Sequence, residues 1–168
     1  MLTAELAMEW FGSISDDSKA FLAVVWFGSP HAPHRASPED EQLYADQPKG
    51  LRHFFGEISA MDRAFGRIRD GLKRLGLRNN TVLWYCSDNG ALPKVGCTYG
   101  YRGHKASVYE GGLRVPAFLE WPARFPHSVA VSTRCSTNDI LPTVLEMSGL
   151  SDFAPEHMDG VSLVPWIG

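Results

Sequence analysis

Apolar residues recur along this chain in distinct rhythms, and each rhythm predicts a different element. Phe54, Ile58, Met61, Phe65, Ile68, Leu72 and Leu75 alternate spacings of four and three, with Glu57, Asp62, Arg67, Arg69 and Lys73 among the residues between them. That period predicts one long amphipathic helix, with Gly76 as its stop signal. Leu2, Leu6, Trp10 and Ile14 fall at four-residue intervals, with Ala7 and Phe11 beside them. They predict a shorter helix with one apolar face. Phe21 to Phe27 is an unbroken apolar run bounded by turn-prone stretches. A run of that length predicts a strand buried on both faces.

Shorter signals fill in the rest. Thr81 to Cys86 and Val115 to Trp121 predict two further strands, and Val129 to Thr133 a fourth. Asn138 or Asp139 can cap a helix whose apolar positions are Ile140, Leu141, Val144, Leu145 and Met147, ending at Gly149. The proline-rich segment from Ser29 to Gly50 and the glycine-rich one from Ala91 to Gly112 predict long loops. Helices alternating with strands predict an α/β layered sandwich, its central sheet mostly parallel and covered by helices. At 168 residues the chain is long enough for one core and short for two domains.

Composition narrows the function classes. Hydrophobic residues make up 44% and charged residues 21%, the balance of a folded globular protein. A formal net charge of -3 without a lysine or arginine run argues against a nucleic-acid or anionic-membrane partner. No apolar stretch approaches the roughly 20 residues that cross a bilayer. The first residues carry Glu5 and Glu9 where an export signal would be apolar. Cys86, Cys97 and Cys135 lack metal-ligand spacing.

Ligands of open α/β sheets bind beyond the carboxyl ends of the strands, and three loops leave predicted strands there. The first, Ser29 to His34, holds two imidazoles three residues apart, His31 and His34, stiffened by Pro30 and Pro33. They could face an anion or a metal, or be solvated. The second is Ser87-Asp88-Asn89-Gly90. Adjacent Asp and Asn oxygens suit a hard cation such as calcium or magnesium. Asn-Gly is also a leading hairpin turn, but Pro93 opposes the second strand a hairpin needs. The third runs from Tyr101 through Lys105 to Gly112, with glycines that permit close backbone approach and a lysine suited to a sulfate or phosphate oxygen. A cation, a lysine and an imidazole together would neutralise an oxyanion ester and assist its leaving group.

The order Ser-Pro-His-Ala-Pro at 29–33, Ser-Asp-Asn-Gly at 87–90 and Gly-His-Lys-Ala-Ser-Val-Tyr-Glu-Gly-Gly-Leu-Arg-Val-Pro at 103–116 resembles the type I sulfatases of the alkaline-phosphatase-like superfamily. Trp121-Pro122, Asn138 to Thr143 and Asp159 to Leu163 agree with it. The resemblance implies an incomplete alkaline-phosphatase-like fold, a single partial catalytic domain over 1–168, and hydrolysis of aryl or carbohydrate sulfate esters in the complete enzyme. It makes Asp88 and Asn89 ligands of a divalent cation, most often Ca2+. Lys105 and His31 become sulfate contacts, His31 protonating the leaving oxygen, with His34 as a further contact. Its partners are a sulfated small molecule or glycan, and family members are usually exported.

Two departures carry consequences. The family converts a cysteine or serine in a Cys/Ser-x-Pro/Ala-x-Arg context into formylglycine, and no residue of this chain stands in that context. The early aspartate pair of the family's metal site is also absent, and Asp16-Asp17 does not replace it. The chain by itself is therefore expected to be inactive, its nucleophile belonging to an N-terminal segment or a companion chain. A phosphatase or phosphonate-ester hydrolase of the same superfamily, or a non-catalytic module for sulfated glycans, are the competing readings.

Overall fold

The computed structural model describes residues 2–15 and 19–167, so Asp16 and Asp17 lie outside the described residues. The chain divides into two compact units, 1–119 and 120–168.

The first unit is built on two helices. Helix α1 (Leu2–Ile14) packs against the long α3 (Lys49–Arg74), and between them in sequence lies the short α2 (Pro38–Gln42). The expected period of α3 holds: Ile68 and Leu72 are buried, and Phe54, Ile58, Met61, Phe65 and Leu75 are partly buried. Gly76 ends the element at φ 72, a left-handed conformation that glycine adopts at no steric cost. One residue breaks the pattern, because Glu57 lies on the buried side, only 8% exposed.

Helix α1 forms as expected but packs through a different face. Ala4 and Phe11 are buried, with Ala7 and Met8 against the same core, while Leu2, Leu6 and Trp10 stay exposed. Gly71 lets α1 approach closely, since a Cβ there would meet the end of the Met8 side chain. The helix is apolar almost all round, so period alone could not choose its buried face. The segment from Ser29 to Gly50 is expected to be loop throughout, yet Ser37 caps the short α2 within it, its hydroxyl accepting from the Asp40 N–H. Buried Asp40 pairs with Arg63 of α3 and joins the two helices.

The expected doubly buried strand at 21–27 is not formed as such. Phe21, Ala23, Val25 and Phe27 pack on the core, whereas Leu22, Val24 and Trp26 are 75%, 72% and 84% exposed. This alternation is that of an extended segment covered on one face. No strand pairing is assigned to it among the described residues. With α1 it borders an open groove of about 350 Å³, lined by Ala7, Trp10, Phe11, Leu22, Val24 and Trp26. An apolar face of this kind drives association. Replacing Leu22 and Trp26 together by lysine should therefore lower light scattering at fixed concentration; unchanged scattering would mean the face is not what associates.

Strands β1 (Leu83–Cys86) and β2 (Ala117–Glu120) form the two-stranded sheet of the described residues. The Ser87 N–H reaches the Pro116 carbonyl at 3.3 Å, and Tyr85 stacks on Phe118 two residues further into each strand. The end of β1 therefore meets the start of β2, an antiparallel register where a mostly parallel sheet was expected. Phe65 of α3 packs edge-on against both rings. A one-turn helix α4 (Glu110–Leu113) precedes β2.

In the second unit the expected strand at Val129 to Thr133 is absent. A 3-10 turn at Thr137–Asp139 leads into α5 (Ile140–Met147), and Gly149 follows at φ 68. Helix α6 (Val164–Ile167) closes the chain. No described helix is long and apolar enough to cross a membrane.

Candidate sulfate-ester site

The site residues named from the sequence all belong to the first unit, on loops between α1, α3 and the two strands. Asp88 and Asn89 follow directly from the end of β1, as a residue beyond a strand's carboxyl end should. Asp88 is exposed and Asn89 half-buried. The Asn89 Nδ2 donates to the Gly90 carbonyl at 3.0 Å. With its amide nitrogen so engaged, the side-chain oxygen is left as the group with lone pairs to offer. Ser87 donates through its hydroxyl to the Asn89 carbonyl at 3.1 Å, so the turn holds itself.

Backbone hydrogen bonds bring this turn onto the glycine-rich loop. The Gly90 N–H donates to the Gly112 carbonyl at 2.8 Å, and the Lys105 N–H to the Ala91 carbonyl at 2.9 Å. The Gly111 N–H closes the loop on itself through the Arg102 carbonyl at 2.9 Å. Glycine is needed here for space: a Cβ on Gly90 would strike Gly111 and Gly112, and one on Gly111 would strike Gly103. The guanidinium of Arg102 lies 3.7 Å above the Tyr109 ring and stiffens the same loop. Asp88, Asn89 and the backbone of Lys105 are thus held in one neighbourhood, and Lys105 is half-buried.

The histidine loop is anchored separately. The exposed His31 donates from its backbone to the Gly28 carbonyl at 3.1 Å, and its Nδ1 lies 2.7 Å from the Ala32 carbonyl. Among the described residues no hydrogen bond ties it to Asp88, Asn89 or Lys105. His34 turns inward instead, its Nδ1 3.2 Å from the Glu57 carboxylate of α3. That contact was missed from the sequence, although a charged residue on the buried stripe of a helix is its signal.

Cys86, at the end of β1, is poorly disposed to act as a nucleophile. Burial pushes its thiol up from the ordinary value, and the negative charge of Asp88 adds to the shift. Burial raises the Tyr85 hydroxyl in the same way. Among the described residues no group of three or more His, Cys, Asp or Glu could hold a metal ion. Asp88 and Asn89 offer hard oxygens and fit a hard cation by donor type, but two oxygens fall short of the six to eight ligands that calcium prefers.

Residues 1–150 match the sequence profile of the family described as Sulfatase. The chain belongs to the sulfatase family. An endo-4-O-sulfatase of Bacteroides thetaiotaomicron is 31% identical to this sulfatase chain over 92% of it and 34% of the relative. A steryl-sulfatase of Rattus norvegicus is 35% identical over 86% of the chain and 26% of the relative. Among solved structures, Ps i-CgsB in complex with k-i-k-neocarrahexaose superimposes at a TM-score of 0.91 and 27% identity, over 98% of this chain and 37% of that one. The chain thus spans about a third of the length of the sulfatases it matches. It adopts part of the sulfatase fold, the alkaline-phosphatase-like architecture that the sequence resemblance implied.

Proposed function

We propose that this chain supplies one part of a sulfatase active site, in which a sulfate ester is hydrolysed by the complete enzyme. The observation that carries this reading is the closure of the Ser87-to-Gly90 turn onto the glycine-rich loop through the Gly90 and Lys105 amides. It holds two oxygen donors and a lysine-bearing backbone close together, and the family membership gives that cluster its chemistry.

In this reading Asp88 and Asn89 hold a divalent cation, calcium by the hardness of the donors. When bound, the cation supplies positive charge against the sulfate oxygens. Lys105 contacts the sulfate as a compact cation. His31 reaches the ester oxygen and gives it a proton as the sulfur–oxygen bond breaks, so that an alcohol departs rather than an alkoxide. The remaining cation ligands and the formylglycine nucleophile lie outside these residues, and the mostly parallel, helix-covered sheet is completed there as well. The substrate is a sulfated small molecule or glycan, in keeping with the oligosaccharide in the Ps i-CgsB complex.

The test compares the chain alone with the chain joined to a sulfatase segment that carries the nucleophile. The chain alone should release no phenol from an aryl sulfate. The joined protein should turn it over, with Lys105→Ala or His31→Ala each lowering kcat about 100-fold or more. Turnover by the chain alone, or turnover indifferent to both substitutions, would overturn the reading.

A further inference from the structure

Glu57 is the one acidic residue of α3 buried on the helix's core side, and both of its carboxylate oxygens face the histidine loop. One accepts from the Arg35 N–H at 2.9 Å, and the other lies 3.2 Å from the His34 Nδ1. The other buried residues of α3 are Gly56, Ala64, Ile68, Gly71 and Leu72, none of them charged. Burying a carboxylate costs several kcal/mol before its partners are counted, and an apolar side chain serves plain packing as well or better. A carboxylate here therefore does something an apolar residue cannot.

We propose that Glu57 is a positioning residue for the histidine loop: it fixes the ring proton of His34 on Nδ1 and pins the backbone beside it. An ionised carboxylate offers only lone pairs, so the nitrogen facing it must carry the hydrogen. The other ring nitrogen, Nε2, is then the basic one. Phe54, three residues before Glu57, meets the His34 ring edge-on at 5.2 Å and sets its rotation. Ring, tautomer and the following amide are thus all set by one turn of α3, and the His34 side chain keeps 12% exposure.

The effect reaches His31. Only Ala32 and Pro33 separate the two histidines, and the His31 Nδ1 faces the Ala32 carbonyl. A carbonyl also demands a donor, so His31 carries the same tautomer, and its Nε2 is the nitrogen that must first take up the proton later given to the leaving oxygen. Anchoring the loop at His34 and Arg35 holds the segment from which His31 projects. The value of that anchoring to catalysis rests on the sulfate-ester reading; the tautomer assignment does not. His34 thereby serves the site as a support for His31, where the sequence resemblance had made it a sulfate contact.

The test is a long-range proton–nitrogen NMR spectrum of the full chain labelled at histidine, taken at about pH 9, where imidazoles are neutral. His34 is expected with its proton on Nδ1. In Glu57→Ala it should switch to the Nε2–H form that free imidazole side chains favour in water, and the His31 signals should move with it. The amides from Asp139 to Leu163 should stay in place as a control for folding. A wild-type His34 carrying its proton on Nε2 would overturn the proposal, as would a Glu57→Ala spectrum in which both histidines are unchanged. The wild-type spectrum decides alone if the variant does not fold. A failed sulfate or calcium titration leaves these spectra untouched, so the two readings fail separately.

Discussion

Gly111→Ala is expected to lower the unfolding free energy by about 3 kcal/mol, at the upper end of what overpacking costs. The added methyl group would lie against the Gly103 carbonyl and 2.9 Å from the Arg102 carbonyl oxygen, which accepts the Gly111 N–H. These obstacles are backbone, and they cannot turn aside as a side chain can. Moving them would also disturb the Gly90-to-Gly112 bond and the seat of Lys105, so the damage spreads to the candidate site. Gly71→Ala is the control. The nearest atoms its methyl would meet are the terminal carbon, sulfur and Cγ of Met8, a flexible side chain, and alanine is the better helix former. Urea unfolding should separate the two variants clearly. Equal midpoints for Gly111→Ala and the wild type would show that the crossing is looser than the backbone bonds indicate.

Asp139→Ala should cost a comparable amount, about 2–5 kcal/mol, from the loss of two part-buried hydrogen bonds to a carboxylate. The Asp139 carboxylate is 7% exposed for the residue as a whole and accepts from the Ser136 N–H at 2.7 Å and the Val161 N–H at 2.9 Å. The backbone carbonyl of Asp139 accepts from the Thr143 hydroxyl at 2.6 Å, and that hydroxyl accepts from the Leu163 N–H at 2.9 Å. The start of α5 and the closing segment of the chain therefore share one polar hub in a unit with few buried apolar residues. Limited proteolysis gives the readout: cleavage between Ser151 and Leu163 should accelerate in Asp139→Ala, and Asp139→Asn, which keeps one acceptor, should fall between. Cleavage at the wild-type rate would remove the hub from the account of this unit's stability.

What could be foreseen followed from period and spacing. The α3 stripe from Phe54 to Leu75, its stop at Gly76 and the helix ending before Gly149 are local matters of side-chain rhythm and glycine conformation. The motifs around Asp88 and Lys105 were enough to point to the family, because they are written in adjacent residue types. The failures are non-local. The exposed face of Leu22, Val24 and Trp26 depends on what covers the segment, and composition does not reveal coverage. The buried side of α1 was misjudged because Leu2, Leu6 and Trp10 are as apolar as Ala4, Ala7 and Phe11. The sheet direction between β1 and β2 is fixed by the loop between them, and no strand pattern encodes it. The Glu57 contact with His34 joins residues 23 positions apart, beyond any local motif.

The central claim is that Asp88, Asn89, Lys105 and His31 serve one negatively charged group. The most direct measurement is an NMR titration of the nitrogen-labelled full chain with phenyl sulfate in the presence of calcium. The amides of Asp88, Asn89 and Lys105 and the ring of His31 are expected to respond on a single binding curve, weak because the cation has so few ligands here, and absent in Asp88→Ala. Separate midpoints for His31 and Lys105, or a curve that Asp88→Ala leaves unchanged, would contradict it.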